Sequence, residues 1–234
     1  MKKGDERRGR ILECAERLFD QKGYENTSIQ DILDELKCSK GGFYHYFDSK
    51  LALLEALTAQ RTLTERSELT RAVSACEGDA VERLNLLFAR GLPWREDNMD
   101  FAGLILRVGY AQGSLQIREC VKRALMDNAR PLLGEIIAQG VEQGLFYTRY
   151  PEEIGELLLA IYANINDEIA ARLADGLQGE VNIARLEDRL AVCRYAVEQL
   201  LGAPYGSIVL FDPLTLPDVL RRLHAQARRF GEKR

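Results

Sequence analysis

Apolar residues recur at three- and four-residue intervals along nearly the whole chain, and that spacing confines it to an all-α fold. Ile11, Ala15, Leu18 and Phe19 set the pattern at i, i+4, i+7 and i+8, which is one face of a helix with 3.6 residues per turn. No alternating run of strand type interrupts it. Six prolines in 234 residues leave few points at which a helix must break. The spacing predicts helices over 7–22, from Thr27 to about 36, 40–46, and 50 to about 74. Beyond these it predicts 79–91, 100–112, 115–143, 151–176, 183–202 and 215–230.

Local signals punctuate these helices. Lys22-Gly23 closes the first, with a cation in the last turn and then a glycine. Thr27 is the expected N-cap of the second, with Gln30 completing a capping box. Ile29, Ile32, Leu33 and Leu36 form its buried face. Ser39 is the next N-cap, and Asp48 or Ser49 caps the long helix that starts near Lys50. Leu92-Pro93-Trp94 and Gly113-Ser114 mark turns. Pro131 predicts a kink or a division into two shorter helices. Gly140 and Gly144 predict a stop, and Tyr205 to Pro217 a loop or short extended segment.

The length suits a small N-terminal domain, expected over 1–60, joined to a larger helical domain over 61–234. The net charge is −4, and residues 1–60 carry ten Lys/Arg against eleven Asp/Glu. Nucleic-acid binding would therefore depend on where charges sit, not on their sum. No stretch approaches a membrane span. The N-terminus is charged and lacks an apolar core, so no secretory signal is expected and the expected location is the cytoplasm. Cys14, Cys38, Cys76, Cys120 and Cys193 form no C-x-x-C pair and are expected as free thiols. Two histidines, His45 and His224, have no metal-ligand spacing, and no catalytic or nucleotide-binding motif occurs. No enzyme activity, metal or cofactor is expected.

Residues 27–50 carry the chemistry. Consecutive glycines, Gly41 and Gly42, are each unfavourable inside a helix by about 1 kcal/mol. On a helix that enters a DNA groove they let the backbone approach the bases. Lys40 adds a cation, and Tyr44 and His45 add ring donors within reach of phosphates. Thr27 and Lys50, at two helix N-termini, suit an anion. Phe43, Tyr46 and Phe47 would lock the short helix down. The same short aromatic helix also fits a packed connector between longer ones.

Residues 10–57 resemble the DNA-binding domain of the tetracycline-repressor (TetR) family. The matching stretches are Ile11 to Ala15 with Leu18-Phe19, Lys22 to Ser28, then Ile29, Asp31 and Ile32. Ser39 to Lys50 follow, with Leu51 and Leu54. The resemblance implies a three-helix domain with a helix-turn-helix whose recognition helix is 39–46. Thr27, Tyr44, His45 and Lys50 then fall where phosphates are held, and Lys40, Gly41 and Gly42 where bases are approached. Ser28 and Ser39 complete the DNA-binding set. Cys38 departs from the small or aliphatic residues usual there. Lys2, Lys3, Arg7, Arg8 and Arg10 form either an arm reaching the DNA or a disordered, solvated terminus.

For the remainder, the resemblance implies a homodimer through 151–176 and 183–202, on a near-palindromic operator. It also implies a repressor released from that operator by a small-molecule effector. Ile154, Leu157, Leu158, Ile161, Ile165 and Ile169 form one apolar stripe; Ile183, Leu186, Leu190, Cys193, Val197 and Leu200 form another. Either stripe also suits intramolecular core. Candidate effector contacts are Trp94, Phe101, Arg107, Tyr110, Tyr162 and Asn166. Asn164 and Asp167 are further polar candidates. The alternative is a DNA-binding regulator controlled by a protein partner or by thiol oxidation.

Overall fold

The computed structural model describes residues 3–91, 99–176, 183–211 and six positions beyond: 215, 218, 219, 221, 222 and 225. Among these residues, every regular element is a helix. The elements are α1 (Lys3–Lys22), α2 (Ile29–Leu36), α3 (Lys40–Tyr44), α4 (Lys50–Ser74) and α5 (Ala80–Arg90). Then come α6 (Met99–Ile105), a π-helical segment (Leu106–Ala111), α7 (Leu115–Glu142), α8 (Pro151–Gly176) and α9 (Ile183–Leu201). Among the described residues no helix is long and apolar enough to cross a membrane.

The helix ends follow local chemistry. Gly23, at φ 81, donates its N–H to the Phe19 carbonyl at 2.9 Å and stops α1 as expected. Ser49, Asp79 and Ser114 cap α4, α5 and α7. The N-cap of α2 is a correction. It is Ser28, not Thr27, and its capping-box partner is Asp31, not Gln30. Two further expectations change. The helix α7 runs unbroken through Pro131, which lies on its exposed side. The expected helix over 100–112 loosens into a π segment, where Gln112 N–H reaches back five residues to the Arg107 carbonyl at 2.9 Å. The loop after α9 is pinned to α5. Asn85 donates to the Ser207 carbonyl and accepts from Val209 N–H, each at 2.8 Å. Most of the expected helix over 215–230 lies outside the described residues.

Two cores share the elements. The N-terminal one combines Ile11, Ala15, Leu18, Phe19, Ile32, Leu33, Phe43, Phe47, Leu53, Leu54 and Leu57. It also takes in Phe101, Leu104, Ile105, Val108 and Ile117 from α6, the π segment and α7. The larger core spans α4, α5, α7, α8 and α9 and includes Leu106. The expected 60/61 boundary therefore falls inside the continuous α4. The π segment contributes to both cores, Leu106 to one and Val108 to the other. The stripes expected at the dimer interface lie mostly in the larger core: Leu158, Ile165, Ile169, Leu186, Leu190, Cys193 and Val197 are all buried. Ile183 and its neighbours to 185 have side chains outside the described set.

Candidate nucleic-acid interface

The site begins with α3, which is too short to hold itself in place. Ser39 caps it by accepting the Gly42 N–H at 3.2 Å. Phe43 is fully buried and stacks edge-on with Tyr44 and tilted against Phe47, at 5.5 and 5.9 Å between ring centres. These aromatic anchors fix one face of the helix on the N-terminal core. The opposite face is open: Ser39, Lys40, Gly41, Tyr44 and His45 are exposed. A side chain at Gly41 would meet nothing within 4 Å. The geometry thus brings Lys40, Gly41, Tyr44 and His45 together on one solvent-facing surface.

The helix α2 supports it. Ser28 accepts the Asp31 N–H while its own N–H and hydroxyl donate to the Asp31 carboxylate. Lys22 pairs with the same carboxylate at 2.8 Å. The Lys22 hydrogen bond, then those of Ser28, hold the Asp31 carboxyl well below the usual carboxylate range. Ser28 is exposed, as the expected DNA-facing role requires.

Two expected phosphate contacts are placed differently. Thr27 is fully buried, and its hydroxyl lies within hydrogen-bonding distance of the Gly23 and Leu18 carbonyls, at 2.8 and 3.2 Å. Its side chain is turned into the core. Lys50 is half-buried and donates to the Tyr24 and Thr27 carbonyls at 2.9 and 3.1 Å. Its ammonium lies 4.2 Å from the centre of the Tyr24 ring. Burial lowers the Lys50 pKa, and burial raises that of Tyr24 to about 12. Lys50 is chiefly a strut that ties the start of α4 to the α1–α2 turn. The basic N-terminus is neither an extended arm nor a disordered tail from Lys3 onward: Arg7, Arg8 and Arg10 lie on α1. Arg8 covers the Phe47 ring at 5.4 Å.

A cavity of about 450 Å³ lies between α1, α4, α5, α7 and α8. Of the expected effector contacts, Tyr162 lines it, while Phe101, Arg107, Tyr110 and Asn166 do not. Phe101 lies under Arg61, 4.5 Å away, beside a smaller void of about 30 Å³. Tyr110 donates to the Asp167 carboxylate at 2.8 Å, and Tyr162 to the Phe88 carbonyl at 3.2 Å. Asn164 is exposed and accepts from Arg189. Trp94 lies outside the described residues. Sequence reasoning missed Glu16, Arg61, Glu65, Glu68 and Asn128, which line the cavity. Charged residues on a long helix look the same whether they face water or a cavity. Among the described residues no cluster fit for a metal ion occurs.

Residues 11–57 match the model of the bacterial regulatory proteins of the tetR family. The HTH-type transcriptional regulator YuxN of Bacillus subtilis is 33% identical over 116 residues, 48% of this chain and 38% of that protein. A regulator encoded in the lacX 3′ region of Lactococcus lactis is 58% identical over 41 residues, 21% of its length. This chain thus spans well under two thirds of both. The HTH-type transcriptional repressor NemR of Escherichia coli is 24% identical over 164 residues, 68% of this chain and 81% of that protein. A TetR-family regulator from Pectobacterium atrosepticum shares the fold, with a TM-score of 0.59 at 21% identity, over 87% of this chain and 100% of that one.

Proposed function

We propose that this chain, whose residues 11–57 match the bacterial regulatory proteins of the tetR family, is a cytoplasmic, dimeric repressor that a small molecule releases from a near-palindromic operator. The observation that carries the reading is the open face of α3. Lys40, Gly41, Tyr44 and His45 point outward from a helix whose other face is fixed by Phe43 and Phe47. A glycine with free space over its Cα suits close approach to base edges, and the ring donors suit phosphates. The N-terminal domain supplies this surface, and the larger domain supplies effector binding and dimerisation.

The cavity of about 450 Å³ offers room for a small ligand, with charged groups in its wall to hold polar ones. Its wall includes Gln60, Arg61, Thr64, Glu65 and Glu68 of α4 and Glu16 of α1. A ligand there touches the two helices that carry the DNA-binding core, so it can favour a conformation in which α3 is misplaced for DNA. Linkage requires that operator DNA weaken ligand binding by the same factor. Thiol control is disfavoured at Cys14, Cys120 and Cys193, where burial raises the thiol pKa and keeps the sulfur protonated.

The test is selection of duplexes from a random double-stranded library by the purified protein, followed by gel shift on the enriched sequence. Enrichment of a two-fold symmetric site with half-sites about one helical turn apart supports the reading. Failure to enrich any sequence overturns it. Screening small molecules for release of that duplex then identifies the effector.

A further inference from the structure

Three cations from two separate elements converge beside the recognition helix. Arg7 and Arg10 of α1 and Lys37 of the α2–α3 turn line one cleft of about 510 Å³, with Glu6 as its single carboxylate. Among the described residues none of the three forms an ion pair or a side-chain hydrogen bond.

Two of these positions are shaped for their side chains. Lys37 has φ 50 and ψ 44, the one non-glycine residue with positive φ among the described residues. Glycine adopts that conformation freely, so the lysine is kept against its backbone preference. Backbone strain of this kind clusters at functional sites. Gly42 makes room for Arg7. A Cβ there would fall 2.6 Å from Arg7 Nη2 and 3.3 Å from Cζ. The missing side chain seats the guanidinium against the flank of α3.

We propose that Arg7, Arg10 and Lys37 clamp the sugar-phosphate backbone of the DNA strand that runs beside the recognition helix. The clamp rests on the DNA-binding reading and extends it to a surface outside α3. Guanidinium groups match phosphate oxygens in bidentate geometry. Three unpaired cations beside an exposed recognition surface therefore add affinity that is independent of base sequence. The clamp sets the register in which Gly41 meets the bases.

The experiment uses full-length protein and a duplex enriched by the wild type from a random library. R7Q/R10Q/K37Q should weaken binding more than tenfold, on the enriched and on a scrambled duplex alike. Its plot of log affinity against log salt should be shallower by roughly 0.9 per lost phosphate contact. Lys37→Gly separates binding from folding, because it should raise the melting temperature by a few degrees while lowering affinity. Gly42→Ala should weaken binding in the wild type and add little in an R7Q background. An unchanged salt slope in the triple variant, or a stabilised Lys37→Gly with full affinity, overturns the clamp. So does stabilisation of the wild type by ATP or inorganic phosphate that the triple variant loses while keeping its duplex affinity. If the wild type enriches no duplex, the DNA-binding reading itself falls, which is a different result.

Discussion

Lys50 donates to the main-chain carbonyl of Tyr24 while its ammonium lies over the ring of the same residue, 2.9 Å from the oxygen and 4.2 Å from the ring centre. One cation thus ties α4 to the turn before α2. Charge-assisted hydrogen bonds of this kind contribute about 1.5–3 kcal/mol each. Lys50→Met, which keeps the aliphatic stem, should lower stability by about 2 kcal/mol in urea unfolding. If Lys50 served only as a phosphate contact, the variant would keep wild-type stability and lose only affinity and salt dependence.

The Tyr24 hydroxyl gives the contact a pH signature. Burial first, and then Glu25, raise its pKa from 10.0 to about 12. The folded state thus holds a proton that the unfolded state releases, so this contribution is complete below pH 10 and is lost as pH rises towards 12. Tyr110 and Tyr162 are raised further, mainly by burial, and act in the same direction. Lys50, whose pKa is lowered, opposes them below its ordinary range. Unfolding free energy should therefore fall from about pH 10 upward, and Tyr24→Phe should make that fall shallower.

Thr27 is buried under two carbonyls and serves the fold. Thr27→Val keeps the shape but removes the hydroxyl that sits between the two, at a cost of about 1–3 kcal/mol. DNA affinity of the folded fraction should be unchanged. A variant of full stability and reduced affinity would restore Thr27 to the interface.

The neighbours Thr27 and Ser28 mark how far the sequence could be read. Helical periodicity placed the elements, because burial of one face per helix is written in the spacing of Ile11, Ala15, Leu18 and Phe19. Both hydroxyl residues suit an N-cap, and only the packing of α1 decides that Thr27 turns inward and Ser28 takes the cap. The open face of α3 was legible because consecutive glycines are out of place in a packed helix, and Gly41, Tyr44 and His45 are exposed. The π segment was not, since a bond from residue 112 to 107 leaves no mark in composition. Nor was the cavity wall: Glu65 and Glu68 look like any solvated helix face.

Gly41 separates stability from function. A methyl group there meets nothing within 4 Å in the free protein, and alanine is favoured over glycine inside a helix by about 1 kcal/mol. Gly41→Ala should raise the melting temperature. On DNA the methyl occupies the space needed for backbone approach, so affinity for the enriched duplex should fall at least tenfold. Equal affinity would move the base-reading surface away from Gly41.

The outward face of α8 and α9 carries the last expectation. Leu157, Val192 and Tyr195 are 51%, 60% and 54% exposed in the single chain, although each lies on a helix that buries several other large apolar residues, among them Leu158, Ile165, Leu190 and Val197. The exposure of three large side chains on adjacent helices suits an isologous interface, in which two helices from each protomer pack as a four-helix bundle. Leu157→Glu with Val192→Glu places two charges on that face and leaves the larger core untouched. The double variant should sediment as a monomer with a wild-type circular dichroism spectrum. It should bind a single half-site far more weakly than the dimer binds the full one, because the second contact is no longer intramolecular. A variant that remains dimeric would place the interface on another face of the larger domain.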